Sequence, residues 1–266
     1  MGSEPRFRPD LYAGTASYYD RFRLPYTAAL LDHLRGRVPL SRTSRVVDLA
    51  CGTGQIAFAL AGHVAEVLAV DQEPEAVHLG ARKAARVGVD NIHWIVAAAE
   101  HVVLDGPFDL VAIGNAFHRL DRELVARRMV PYLAERGCIA LLWSDPPWHG
   151  DAPWQRALDA VLEHWMDELD ARDRVPADWE SEMECDPHEH VLQRAGLVDD
   201  GEYSCTQMEH WTIDALIGFV YSTSFLGRSV VGGRADEFEA DVRARLAGAV
   251  LDQDVTYAYQ LARRPV

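Results

Sequence analysis

One segment, residues 45–55, constrains the fold of this chain more than any other. Residues 45–49 are mainly apolar and partly β-branched, which is typical of a strand that is covered on both faces. Gly52 and Gly54 follow, and they permit backbone conformations and close approaches that a Cβ atom would forbid. The run 56–61 is then apolar and helix-forming. The segment predicts a strand, a tight turn and a helix whose free N–H groups can receive a carboxylate or ribose hydroxyls.

Acidic residues stand at the ends of the first two predicted strands. Asp48 ends the first strand, where it can accept hydrogen bonds from an ammonium group. Asp71 ends the second strand, 66–70, about 20 residues after the turn, where doubly wound folds place the acid that binds ribose hydroxyls. A nicotinamide dinucleotide site is the rival interpretation, but its G-x-G-x-x-G fingerprint is imperfect here because Ala57 takes the third glycine position.

Further strands and helices alternate along the chain, which predicts an α/β fold with a doubly wound, Rossmann-like sheet of seven strands and helices on both faces. The predicted strands after the second are 91–96, 110–113, 138–143, 202–211 and 254–262. The predicted helices include 27–35, 75–87, 122–133, 154–169, 186–195, 213–225 and 234–250. Between the fifth strand and the next core helix, a proline-rich and tryptophan-rich stretch predicts a small, mostly helical cap insertion.

Composition narrows the classes of partner. The chain has 266 residues with 48% hydrophobic content, and a net charge of −15 from 26 basic and 41 acidic residues. This negative charge disfavours nucleic acid as a partner. The charge is explained either by solubility or by attraction of cationic substrates such as amino sugars. Four scattered cysteines predict a reducing, cytoplasmic location, with neither a disulfide framework nor a metal site. No apolar run is long enough for a membrane span, and no signal-peptide core is present.

Two motifs carry a family resemblance. The Asp-x-x-Cys-Gly-x-Gly run that starts at Asp48, followed by Asp71, resembles motif I and the acidic motif of class I S-adenosylmethionine (SAM)-dependent methyltransferases. The run 115–121 is similar to the Ala-Phe-His-Trp-x-Asp segment of a bacterial small-molecule subfamily related to trans-aconitate methyltransferase-like proteins. Arg119 replaces the usual tryptophan of that segment. The resemblance implies SAM as cofactor and a terminal strand that inserts antiparallel at the sheet edge.

The resemblance divides the chain into an N-terminal lid segment and helix (1–36), a SAM-binding core (37–143), the cap insertion (144–186) and a C-terminal part of the core fold (187–266). It implies that Tyr18 covers the cofactor or touches substrate, and that Arg23 meets the cofactor carboxylate. It also implies that Ala99 and Glu100 read adenine, since Ala98 replaces the usual acid. The implied cofactor residues are Tyr18, Arg23, Asp48, Ala50, Gly52, Gly54, Asp71, Gln72, Ala99, Glu100 and Asn115.

On the substrate side, the resemblance and the strand-end positions favour Tyr19, His118, Trp148, His149 and Tyr221. His118 is the candidate general base, because it follows the carboxyl end of a strand and an ordinary histidine titrates near neutrality. Orientation of a bound group, or packing against the cap, is the alternative role for this residue. Packing is likewise the alternative for the tyrosines and tryptophans.

The predicted function is methyl transfer from SAM to a nitrogen or oxygen atom of a small molecule, in natural-product or antibiotic biosynthesis. The acidic balance favours an amine-bearing sugar or aminoglycoside. The alternatives are O-methylation of a carboxylate or hydroxyl metabolite, a nicotinamide-dependent oxidoreductase, and a SAM-binding protein without catalysis. The expected partner is the small-molecule acceptor, with neither nucleic acid nor a membrane, and a homodimer is left open.

Overall fold

In the computed structural model, residues 10–175 and 183–265 are described. Within these ranges, seven strands form a single sheet in the order β3-β2-β1-β4-β5-β7-β6. The strands are β1 (Arg45–Leu49), β2 (Glu66–Asp71), β3 (Ile92–Val96), β4 (Phe108–Gly114), β5 (Leu133–Ser144), β6 (Val198–His210) and β7 (Asp252–Arg263). Strands β1 to β5 run parallel, so their carboxyl ends share one edge of the sheet. The predicted α/β sheet is confirmed.

The last strand differs in position from the expectation. β7 is antiparallel, as predicted, but it lies between β5 and β6 rather than at the edge. Tyr259 pairs with Leu142 on one side and with Tyr203 on the other. The burial of the two strands explains this order, because Tyr257 and Tyr259 of β7 are fully buried whereas most β6 residues are exposed. The strand with the apolar faces therefore takes the interior place.

Helices cover both faces of the sheet and form the cap. They are α1 (Ala16–Phe22), α2 (Ala28–Arg37), α3 (Gln55–Ala61), α4 (Pro74–Val87), α5 (Arg122–Met129), α6 (Pro153–Glu168), α7 (His188–Arg194), α8 (Ile213–Tyr221), α9 (Arg228–Val231) and α10 (Ala235–Leu246). One core joins α2 and α3 to the sheet side that contains Val46, and a second joins α5 and α7 to the side that contains Val47. Successive β1 side chains point to opposite faces, so one strand serves both cores.

The cap draws on two distant parts of the sequence. A third apolar cluster packs α6 against α8 and α10, with Trp165 at 5.5 Å from Phe238, ring centroid to ring centroid. The Trp165 Nε1–H also donates to Asp241 Oδ2 over 3.2 Å. The described part of the predicted insertion 144–186 therefore shares its core with α8 and α10, which the expected division placed in the core fold. Residues 176–182 of that insertion lie outside the described residues.

Two predicted helices end early for local chemical reasons. The helix expected over 122–133 ends at Met129 and becomes a 3-10 turn, Val130–Tyr132, because Pro131 has no backbone N–H with which to continue the helical hydrogen bonds. The helix expected over 213–225 ends at Tyr221, where the hydroxyls of Ser222 and Thr223 donate to carbonyls one turn back. Across the described residues, no helix is both long enough and apolar enough to cross a bilayer.

Candidate functional site

A cavity of about 960 Å³, which includes its mouth, opens beyond the carboxyl ends of β1, β2 and β4. In parallel α/β sheets, this edge is where ligands bind. Its walls come from the N-terminal segment, the β1 turn, the start of α4 and the loops after β3 and β4. The wall residues are Tyr12, Thr15, Ala16, Tyr19, Arg23, Ala50, Gly52, Asp71, Gln72, Glu73, Glu75, Ala76, Ala97, Ala99, Glu100, Gly114, Asn115, Ala116, Arg119 and Leu120.

The two glycines of the turn after β1 have different surroundings: Gly52 faces the cavity, and Gly54 packs against Trp94. Gly52 adopts φ +55°, and a Cβ atom there would lie 3.5 Å from the Tyr19 ring, so bare backbone faces the cavity. Gly54 adopts φ +87°, and a Cβ atom there would lie 2.5 Å from Cη2 of Trp94. Both glycines are needed, but the structure places Gly54 on the packing side and not in the cavity wall.

Asp71 is held rigidly at the end of β2. Its Oδ2 accepts the Gly52 N–H over 2.7 Å, and its Oδ1 accepts the Glu73 N–H over 2.8 Å. Each carboxylate oxygen can accept a second hydrogen bond, so the group remains able to receive hydroxyls from a ligand in the cavity. Burial raises the pKa of this carboxyl above its ordinary value. In the described part of the chain no ion pair involves Asp71, which leaves the carboxylate directed at the cavity.

Asp48 has a different position from the one expected for an ammonium-binding residue. The side chain is 1% exposed and does not line the cavity. Its Oδ2 accepts the Ala57 N–H over 2.8 Å, which satisfies a free donor at the start of α3. Burial raises the pKa of Asp48 to about 7. The structure thus places Asp48 beneath the glycine turn, where it supports the turn from below.

The two N-terminal tyrosines face opposite ways on α1. Tyr19 lies over Gly52 in the cavity wall, and burial raises the pKa of its hydroxyl to about 12. Tyr18, expected on the cofactor, instead packs edge-on against Tyr221 in the cap, at 5.2 Å between ring centroids. Adjacent helical residues point in different directions, so only one of the pair can reach the cavity. The sequence analysis did not predict α1, and so it could not predict that the two rings point in different directions.

Arg23 joins the cavity to the cap. Its Nε–H donates to Ser222 Oγ over 2.8 Å, and its guanidinium lies 4.3 Å from the centroid of the Phe219 ring. The Gln55 amide donates to the Arg23 carbonyl at 3.4 Å, which places this residue near the start of α3. A cation at that position suits the carboxylate of an amino-acid moiety bound over the glycine turn.

An acidic wall follows Asp71 in the sequence. Glu73 lines the cavity, and its Oε1 is buried with no hydrogen-bond partner among the described residues. Burial, with the nearby Asp71 and Glu75, raises the pKa of Glu73 to about 7. Glu100, expected to read adenine, also lines the cavity, but its Oε1 accepts the Asp121 N–H over 3.1 Å. Glu73 was missed from the sequence, although its place two residues after Asp71 was a usable signal.

The 3-10 turn after β4, Phe117–Arg119, carries the candidate base. His118 is not in the cavity wall, whereas Asn115 and Arg119 are. Burial, together with neighbouring positive groups, lowers the pKa of His118 to about 3, so the imidazole is neutral at physiological pH and is a weak proton acceptor. The general-base hypothesis assumed that His118 has a pKa near neutrality, and the structure does not support that assumption. Asn115 adopts φ 50°, and its Oδ1 accepts the Ser144 N–H over 3.2 Å.

The remaining predicted substrate residues lie outside the cavity wall. Trp148 packs edge-on against Phe219 and Phe225 in the cap. The Tyr221 hydroxyl donates to Glu239 Oε1 over 3.1 Å, and His149 is exposed at the surface. The structure brings together nine of the predicted residues in the wall, Tyr19, Arg23, Ala50, Gly52, Asp71, Gln72, Ala99, Glu100 and Asn115, and it leaves the others beside or beneath it.

The hydrogen-bond acceptors and the cation of the cavity wall match the hydroxyl groups and the carboxylate of SAM. Hydroxyl donors of a ribose have acceptors in Asp71 and in the unpartnered Glu73 Oε1, while a carboxylate has the Arg23 guanidinium. Bare backbone at Gly52 permits close approach of the ligand between these two ends. Of the described residues, no group of histidine, cysteine and acidic side chains could hold a metal ion.

Comparison with known proteins agrees with this pattern. Residues 46–137, from β1 into β5, match the family described as "Methyltransferase domain". The release factor glutamine methyltransferase of Escherichia coli is 41% identical over 82 residues, which is 28% of this chain and 29% of that protein. An uncharacterised methyltransferase of Schizosaccharomyces pombe is 26% identical over 147 residues, 54% of this chain and 56% of that protein. The chain thus spans between about a quarter and a little over half of these relatives.

Solved structures extend the likeness of fold over most of the chain. A putative type II methyltransferase from Anaeromyxobacter dehalogenans aligns with a TM-score of 0.61 and 18% identity, covering 91% of this chain and 97% of that one. A putative methyltransferase from Bacillus halodurans aligns with a TM-score of 0.55 and 16% identity, covering 90% and 100%. Residues 46–137 therefore match a methyltransferase domain, and the described residues share the fold of these solved structures.

Proposed function

We propose that the protein transfers a methyl group from SAM to a nitrogen or oxygen atom of a small molecule bound between the sheet edge and the cap. One observation carries the proposal. Asp71 is fixed by two backbone N–H groups in the wall of a cavity that Tyr19 and Arg23 cover from the N-terminal side. When bound, SAM supplies a methyl group on a sulfonium, which is already an activated leaving group.

The residues then have to bind, orient and exclude water rather than activate the methyl donor. Asp71 and Glu73 accept hydroxyl hydrogens at the β2 end, and Arg23 pairs with the carboxylate at the α3 end. Tyr19 covers the turn between them. The cap residues Phe219 and Ser222 fix Arg23, so the cap and the cofactor site are mechanically joined.

A small acceptor is supported by the enclosure of the cavity. The N-terminal segment is fastened across it, since the Gly14 N–H donates to Glu75 Oε2 over 3.2 Å and the Ser229 hydroxyl donates to the Ala13 carbonyl over 3.2 Å. A polymer would have to displace this segment. A role in natural-product biosynthesis, cytoplasmic location and a homodimeric state remain predictions from sequence, and this proposal does not depend on them.

Ligand-induced stabilisation tests the proposal. S-adenosylhomocysteine, the demethylated product of SAM, should raise the Tm of the full chain by several degrees at saturating concentration, while NAD and NADP should leave it unchanged. The Asp71→Ala variant should lose most of the shift. Stabilisation by a nicotinamide nucleotide alone would favour the oxidoreductase interpretation. No shift with any of these nucleotides would overturn the proposal.

A further inference from the structure

The strongest unexplained group in the cavity is the guanidinium of Arg119. Arg119 lines the wall beside Asn115, and its Nε is buried with no hydrogen-bond partner among the described residues. Its Nη1 donates to the Arg174 carbonyl over 3.3 Å, which holds the side chain between the cap and the sheet edge. Arg128 also has a buried, unpartnered Nε, but it lies outside the cavity, so the position of Arg119 is the informative feature.

Charge divides the cavity into two ends. The carboxylates of Asp71, Glu73 and Glu75 come from the end of β2 and the start of α4, and that of Glu100 follows β3, the strand next to β2. The guanidiniums of Arg23 and Arg119 come from the lid and from the turn after β4, and in the described ranges neither forms an ion pair with a carboxylate. SAM brings one carboxylate, which Arg23 can take. The second guanidinium then has no anion unless the methyl acceptor supplies it.

In the described ranges, neither the tyrosine nor the histidine near this end is suited to remove a proton at neutral pH. The pKa of Tyr19 is raised to about 12 and that of His118 is lowered to about 3. Glu73 titrates nearer neutrality, but it follows β2, two strands away from β4, which is about 10 Å. An acceptor that is already ionised needs no such base.

We propose that the methyl acceptor is a carboxylate-bearing small molecule whose anionic oxygen is both held by Arg119 and methylated. This inference rests on the proposed function. The carboxylate oxygen forms a bond to the methyl carbon as the methyl–sulfur bond breaks, and the electron pair of that bond remains on sulfur. The products are a methyl ester and S-adenosylhomocysteine. No proton is released, in contrast with methylation of a hydroxyl or of an ammonium group.

Binding of simple anions to the product complex tests the assignment without needing the natural acceptor. With the full chain saturated by S-adenosylhomocysteine, calorimetry should show that benzoate and succinate bind at least tenfold more tightly than benzamide and succinamide. Arg119→Gln should remove this preference, and Arg119→Lys should retain part of it because the cation remains. Arg128→Gln is the matched control, and it should keep the preference.

The outcomes separate the two proposals. Failure of the wild type to bind S-adenosylhomocysteine counts against the methyltransferase function itself. If the nucleotide binds but the amides bind as well as the acids, or if Arg119→Gln binds the acids as well as the wild type does, the carboxylate assignment is wrong. With labelled SAM and any acid that turns over, the product should release methanol in mild alkali, and a pH indicator should register no proton. A proton released at each turnover would also overturn the assignment.

Discussion

Two aspartates at neighbouring strand ends show how well residue type and position predict which side chains line the cavity. Asp48 and Asp71 were both expected to touch the cofactor, but only Asp71 lines the cavity, while Asp48 binds the Ala57 N–H beneath the turn. The sequence predicts where each strand ends, and so it predicts the backbone position of each aspartate. The orientation of each side chain cannot be predicted in this way, because it depends on how the turn and α3 pack.

Replacing Asp71 with asparagine should weaken binding of S-adenosylhomocysteine about 10- to 100-fold, because a hydrogen bond to a charged acceptor is worth roughly 1.5–3 kcal/mol. Isothermal calorimetry measures the change in Kd. Asp109→Asn is the control, since Asp109 Oδ2 also accepts a backbone N–H, that of Arg45, but does so at the opposite end of the sheet. Equal weakening in both variants would show a loss of folding rather than of a ligand contact.

His118 should remain neutral throughout the physiological range, because burial and nearby positive charge oppose its protonation. In a titration followed by NMR, its ring signals should not shift between pH 5 and pH 8. His210 serves as the internal comparison, because its hydrogen bond with Asp252 raises the pKa of the imidazole and its signals should move. An inflection for His118 near pH 6.5 would restore the general-base hypothesis.

At the scale of elements, the strand and helix pattern was predictable and the helix ends were not. The apolar runs that define β1, β2 and β4 are local, and their order along the chain predicts a parallel sheet. Pro131 and the hydroxyls of Ser222 and Thr223 ended two helices early. The cap was only partly predictable, because its core forms from α6 and from helices about 50 or more residues further along, and no local pattern reports such a contact.

Two helical glycines give an element-scale test of packing. Gly80 in α4 lies against Trp94, and a Cβ atom there would approach Cη2 to 2.2 Å, so Gly80→Ala should lower the free energy of unfolding by about 1–3 kcal/mol. Gly36 in α2 has open space around it, so Gly36→Ala should raise the free energy of unfolding by about 0.5–1 kcal/mol. Urea denaturation measures both. Stabilisation by both variants would mean that Trp94 does not rest on α4.

For the whole molecule, stability should depend on the protonation of Asp48. Its pKa rises from an ordinary value of 3.8 to about 7 on folding, so the folded state binds the proton more tightly than the unfolded state does. The stabilisation that follows is complete below about pH 4 and is lost as the pH rises through about 7. Paired carboxylates elsewhere, such as Asp186 with Arg194, act in the opposite direction.

Comparison with Asp48→Asn isolates this contribution. The free energy of unfolding of the wild type, minus that of the variant, should fall by about 4 kcal/mol between pH 4 and pH 8, since one pKa unit corresponds to about 1.4 kcal/mol. Urea unfolding of the nucleotide-free proteins across this range provides the measurement. A difference that stays constant with pH would show that Asp48 is ionised in the folded protein throughout.

The place of β7 between β5 and β6 has a consequence for biosynthesis. During translation, the ribosome exposes β5 and β6 well before residues 252–263 emerge, and until then the two strands lack the neighbour that joins them. The nascent chain therefore carries two open hydrogen-bonding edges whose closure waits for β7. Premature termination ahead of that strand would leave both edges free to recruit other chains, so truncated products should aggregate rather than accumulate as partly folded monomers.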